Sequence, residues 1–216
     1  MTRIPSPLAA LTAILLLFAG ATAAQSGPST GVVKPQPTDS WTFFGYIDGY
    51  IAPHSSFLAS PVFTADRKHL HLEARYGYED RYLGSMWAGY NFSGGSKLKW
   101  TVTPMFGVVV GQRTGVAPGL EASVAYNRLS FYTSAEYVFD ASNRTNNFFY
   151  AWPQLTYAPT HWLRVGVAAQ HTKVYSTKLT TDYGPEISVS HKKLYFTTYV
   201  LNPRNAIVIL EFGASF

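Results

Sequence analysis

From Trp41 to Phe216 the chain repeats one pattern, an alternation of apolar and polar residues with a period of two. Its cleanest stretch sets Leu70, Leu72, Ala74, Tyr76 and Tyr78 on one face against His69, His71, Glu73, Arg75 and Glu79 on the other. Its last stretch sets Ala206, Val208, Leu210, Phe212, Ala214 and Phe216 against Ile207, Ile209, Glu211, Gly213 and Ser215. Such a period is that of a strand lying between two different environments. Most stretches run to about 9–13 residues, whereas soluble strands average about 5–6 and a bilayer-crossing strand needs about 9–11. Length therefore points to a membrane more strongly than alternation does.

The closing segment ends on an aromatic residue with an apolar residue at every second position before it. It resembles the C-terminal strand of bacterial outer-membrane β-barrel proteins. The resemblance implies that Val208, Leu210, Phe212 and Phe216 close a barrel, that the assembly machinery reads this strand, and that outer-membrane lipids surround it. The expected fold is all-β, an antiparallel up-and-down transmembrane β-barrel of the bacterial outer membrane.

The N-terminus agrees with export. Arg3 precedes an apolar run from Leu8 to Phe18, and Ala21-Thr22-Ala23 offers a small-residue cleavage site. Residues 1–24 read as a signal peptide, 25–40 as a flexible periplasmic lead-in with Pro28, Pro35 and Pro37, and 41–216 as the barrel. After the signal peptide no apolar segment approaches the roughly 20 residues of a spanning helix. With Cys 0, disulfides and thiolate chemistry are excluded. Aromatic residues make up 16% of the chain, and its net charge of +5 comes in no long basic run, which argues against nucleic acid.

Direct reading gives about eleven strands, an odd number, whereas bacterial single-chain barrels have even ones. A further strand within Ser55 to Arg67 makes twelve, the preferred number, and demoting the first stretch makes ten. Turns at Ser190–Lys193, Tyr157–His161, Asn127-Arg128 and Ser93–Lys97 fall on one side. The connections at Asn202, Val174–Pro185, Asp140–Asn147 and Gln112–Pro118 fall on the other, and most are longer. Short periplasmic turns and longer outer loops are the expected asymmetry. Trp41, Tyr78, Tyr126, Tyr137, Tyr157 and Trp162 stand at or near strand ends, as interface aromatics do.

The polar faces place Asp48, His69, His71, Glu73, Arg75, Glu121, Glu136, Arg164, Glu186 and Glu211 in the lumen. Mixed charges there either pair and plug the bore or line a narrow aqueous path. His69, His71 and Glu73 share a face and suit a divalent ion in kind, but same-face neighbours stand nearly 7 Å apart and nothing in the sequence makes them converge. No metal and no cofactor is assigned. Ser190-His191 and His54 with Ser56 are the candidate hydrolase pairs, and neither reproduces a motif. Asn91-Phe92-Ser93 and Asn143-Arg144-Thr145 read as polar turns. The leading expectation is a small porin-like channel for small polar solutes. A non-conducting structural or binding barrel comes second and a lipid-modifying hydrolase third.

Overall fold

The computed structural model describes residues 38–53, 55–78, 82–112, 114–174 and 177–216. The signal peptide, most of the lead-in and His54 lie outside them. The strands are β1 (Thr42–Ile51), β2 (Leu58–Arg67), β3 (Leu70–Tyr76), β4 (Leu83–Tyr90), β5 (Phe92–Gly94), β6 (Leu98–Gly111), β7 (Gly115–Tyr126), β8 (Leu129–Asp140), β9 (Phe148–Tyr157), β10 (Leu163–Val174), β11 (Thr180–His191), β12 (Leu194–Leu201) and β13 (Ile207–Ser215). β4 and β5 are one strand interrupted at Asn91, because both pair with β6 in one continuous register. Each strand pairs antiparallel with its chain neighbour, and β13 returns to β1, so the sheet closes as a twelve-stranded barrel.

The closing seam runs from Phe44↔Ser215 to Ile51↔Val208, and the Phe216 N–H donates to the Phe43 carbonyl at 2.9 Å. Val208, Leu210, Phe212 and Phe216 lie on the outer face of this seam. The missing strand is β2, which alternates Ser60, Val62, Thr64 and Asp66 inward against Ala59, Pro61, Phe63 and Ala65 outward.

The exterior is apolar. Met86, Phe106, Val110, Val167, Ile187 and Phe212 are each half or more exposed on outward positions. Inward positions are almost inaccessible and are polar, aromatic or, in one cluster with Leu83, Val109, Ala117, Val138, Leu201 and Ile209, aliphatic. This inversion of soluble burial is what a closed barrel in lipid requires.

Proline accounts for the breaks in the ladders. Pro104 has no N–H to offer the facing Tyr90–Asn91 segment, and there β4 gives way to β5. Pairing of β7 with β8 skips from Gly119↔Glu136 to Val116↔Phe139 around Pro118. Pairing of β9 with β10 skips from Ala168↔Gln154 to His171↔Ala151 around Pro153. The β2–β3 and β11–β12 ladders begin only beside Pro61 and Pro185, at Val62↔Arg75 and Glu186↔Tyr199. Two expected loops shrink accordingly. Pro185 lies within β11, opposite Val167, and Pro118 lies within β7, opposite Phe106.

The short connections gather at one end. The two-residue turns use Lys68, Asn127 and Lys192 at positive φ, 51°, 54° and 55°, the left-handed backbone that tight hairpins demand. That end carries Arg67, Lys68, Lys97, Arg128, Lys192 and Lys193.

Candidate lumen site

β3 supplies the spine of the interior. Its alternation is strict, with Leu70, Leu72, Ala74 and Tyr76 exposed and His71, Glu73 and Arg75 buried. Arg75 is the central bar. Its Nε donates to Glu73 Oε1 at 2.8 Å, and one terminal nitrogen reaches Glu136 Oε2 on β8 at 2.5 Å. The guanidinium also lies over the rings of Tyr78 and Trp87, at 4.5 and 4.7 Å from their centroids. All three ionic side chains are 1–3% exposed.

Trp87 can lie flat against the wall because the facing wall has no side chain there. A methyl group on Gly107 would run into its ring, and one on Gly119 would come within 2.8 Å of it. Its indole N–H donates to Ser85 Oγ at 2.9 Å. Tyr78 was expected in an outer girdle, but Gly77, at φ +68°, ends the alternation and turns Tyr78 inward. There its ring meets Tyr150 edge-on, with centroids 5.4 Å apart. Burial pushes the Tyr78 hydroxyl above its ordinary value, against the pull of Arg75.

Toward the short-turn end a polar chain follows. Thr103 Oγ1 donates to Asn91 Oδ1 at 2.6 Å, Asn91 Nδ2 donates to Asp66 Oδ1 at 2.7 Å, and His71 Nδ1 stands 2.8 Å from that same oxygen. His71 Nε2 faces Glu73 Oε2 at 3.3 Å. Glu121 on β7 accepts from the Tyr132 hydroxyl at 3.1 Å.

The opposite wall holds the other carboxylates. Asp48 and Glu211 stand side by side in the closing register. Tyr199 donates to Glu211 Oε2 at 3.3 Å and accepts from Gln154 Nε2 at 3.0 Å. Glu186 is buried, and half-buried Arg164 donates to Ser130 Oγ at 3.3 Å.

Of the residues singled out by sequence, the structure draws His71, Glu73, Arg75, Glu121 and Glu136 into one cluster and Asp48 and Glu211 into another. His69 does not join them. It is exposed in the β2–β3 turn, stacked on Tyr90 at 4.8 Å, because the two-residue turn carries it below the first inward position of β3. Ser190 and His191 point to opposite faces and make no pair. Asn91 is buried rather than in a turn, while Asn143 does sit in one and caps it through Thr145 N–H. Asp66, Asn91, Thr103, Tyr78 and Trp87 were not anticipated. The inward parity of residues 85, 87, 89 and 91 was the available signal for Asn91.

No protein-family model matches the chain, and no curated protein is similar to it in sequence. Similarity appears among solved structures. The KdgM porin superposes with a TM-score of 0.57 at 13% identity, covering 80% of this chain and 99% of that one. The fold is the one that the KdgM porin has. The same porin in complex with disordered oligogalacturonate gives a TM-score of 0.55 at 13% identity, over 81% and 99% of the two chains. Omp33 of Acinetobacter baumannii aligns more loosely, with a TM-score of 0.43 at 9% identity over 84% of this chain and 100% of its own.

Proposed function

We propose that this protein is a narrow porin-like channel of the bacterial outer membrane, passing small polar solutes between the carboxylate-rich walls of its lumen. The carrying observation is the closed barrel with an apolar exterior and an interior that is charged and hydrogen-bonding through its middle and toward the short turns, while its other end is packed with Leu83, Val109, Val138, Phe148 and Leu201. Export through the signal peptide, and insertion guided by the closing strand, belong to the same reading. Bore and charge set its selectivity. Twelve strands enclose more space than the eight whose side chains simply fill a barrel, and far less than the 16–18 of large aqueous porins. The Arg75 bar and the Trp87 ring then narrow the passage to small molecules.

The oligogalacturonate bound by the KdgM porin is a polyanion. Here the carboxylates Asp48, Asp66, Glu73, Glu121, Glu136, Glu186 and Glu211 outnumber Arg75, Arg164 and the His71 ring that stands between Asp66 and Glu73. That balance favours neutral or cationic solutes. The near-complete burial of the Arg75 layer supports the second reading, a barrel held shut by ion pairs. Liposome swelling separates the two. Vesicles carrying the protein are expected to swell in glycerol and pentoses and not in trisaccharides. Swelling no faster than protein-free vesicles in every solute would sink the channel.

A further inference from the structure

The geometry points to a divalent-metal site of zinc-like preference in the lumen, formed by His71, Glu73 and Glu121. It rests on local chemistry and is independent of whether the barrel conducts. The three side chains are 0%, 5% and 4% exposed, and their ligand-capable atoms lie within 4.8 Å of one another. One imidazole and two carboxylates form a donor set that suits zinc and its neighbours.

The histidine sets the geometry of the site. Asp66 Oδ1 offers only lone pairs to His71 Nδ1 at 2.8 Å, so that nitrogen carries the hydrogen. The same oxygen already accepts from Asn91, which fixes its position. Nε2 then turns its remaining site toward Glu73 Oε2, and two acceptors cannot face one another without a cation between them. Either a proton or a metal ion fills that place.

Distance admits both. A charge-assisted N–H···O contact runs at about 2.7–2.9 Å. Two ligands on one tetrahedral ion, each bonded at about 2.0–2.1 Å, stand about 3.3–3.4 Å apart. The observed separation is 3.3 Å, the same as that of Arg75 Nη2 from the same Glu73 Oε2, so a metal ion fits the place as a proton does. Glu121 completes the set, with a ligand atom within 4.8 Å of those of His71 and Glu73.

The surroundings match what metal-binding histidines use. A carboxylate on the far ring nitrogen, here Asp66, orients the imidazole, and hydrogen bonds to the ligating carboxylates hold them. Arg75 serves Glu73 in this way, and the Tyr132 hydroxyl serves Glu121. Charge agrees as well. Asp66, Glu73, Glu121 and Glu136 surround one arginine, and a divalent ion offsets the excess negative charge that burial penalises.

The test uses the full-length mature protein, folded in detergent, stripped with chelator and equilibrated with zinc ion alone. The folded barrel is expected to retain about one zinc by elemental analysis. Glu121→Gln and His71→Gln should each weaken binding by at least about 10-fold and Asp66→Asn by about 10–100-fold. Glu186→Gln, on the other wall, should leave it unchanged. Heat-modifiable gel migration verifies that each variant is folded. Zinc-edge X-ray absorption on the unmutated protein needs no variant and should show one imidazole among oxygen ligands. No retained zinc would overturn the proposal and leave a proton between His71 and Glu73. So would binding unmoved by Glu121→Gln and His71→Gln, or a metal shell without a single imidazole.

Discussion

Replacing Arg75 with alanine removes the cation that bridges Glu73 and Glu136 across the lumen. Both carboxylates are 2–3% exposed, so water cannot take over as it would at a surface. Breaking a buried ion pair from one side destabilises a protein by about 3–5 kcal/mol, because the partner charge stays buried. The guanidinium also leaves the Tyr78 and Trp87 faces, worth about 1 kcal/mol or more for a desolvated pair. Together the loss should reach about 4–6 kcal/mol, mostly electrostatic. Reversible denaturant unfolding from lipid vesicles, followed by tryptophan emission, measures it.

The control is the neutral triple variant Arg75→Met, Glu73→Gln and Glu136→Gln. It should recover most of the loss, since well-packed neutral groups replace buried ion pairs at little cost. A single-variant loss below about 1 kcal/mol, the range of exposed ion pairs, would refute the reasoning. It would mean that water fills the Arg75 layer and that the bar does not close the bore.

Other expectations follow from the same geometry. Gly107→Ala should push the Trp87 ring off the wall and destabilise by about 1–3 kcal/mol, with an altered indole emission. Val167→Arg, on the lipid face of β10, should cost about 2–4 kcal/mol when refolded into vesicles and far less in short-chain detergent. Reversal potentials under a salt gradient should favour cations over anions, and a combined Glu186→Gln and Glu211→Gln variant should reduce that preference. Anion preference in the unmutated protein would contradict the lumen charge balance.

Much of this barrel was legible in the chain because outward apolar and inward polar positions keep the pleat's period. β3 is the clearest instance, since its charged row and its leucines fall on opposite faces without exception. What hid the rest was proline. Pro61, Pro118 and Pro185 argue against strand where they stand, and β2 and the first turns of β7 and β11 disappeared behind them. In the folded barrel each forgoes one ladder bond and points its ring outward, a local loss that neighbouring pairs override.

The lumen clusters were only half readable. Parity sends His71, Glu73 and Arg75 inward, but it says nothing about which distant strand they meet. The Arg75–Glu136 and His71–Glu121 encounters depend on barrel circumference and stagger, which no short stretch encodes. His69 and Tyr78 failed for a sharper reason. Each sits one step past the end of a strand, where a two-residue turn or Gly77 breaks the alternation that would have placed it.

Single-channel recording in planar bilayers tests the central claim most directly, with the unmutated protein and Arg75→Ala compared after both are shown to be folded. The account predicts small, discrete conductance steps for the former and larger steps once the bar across the lumen is gone. Folded protein that conducts in neither form would contradict it.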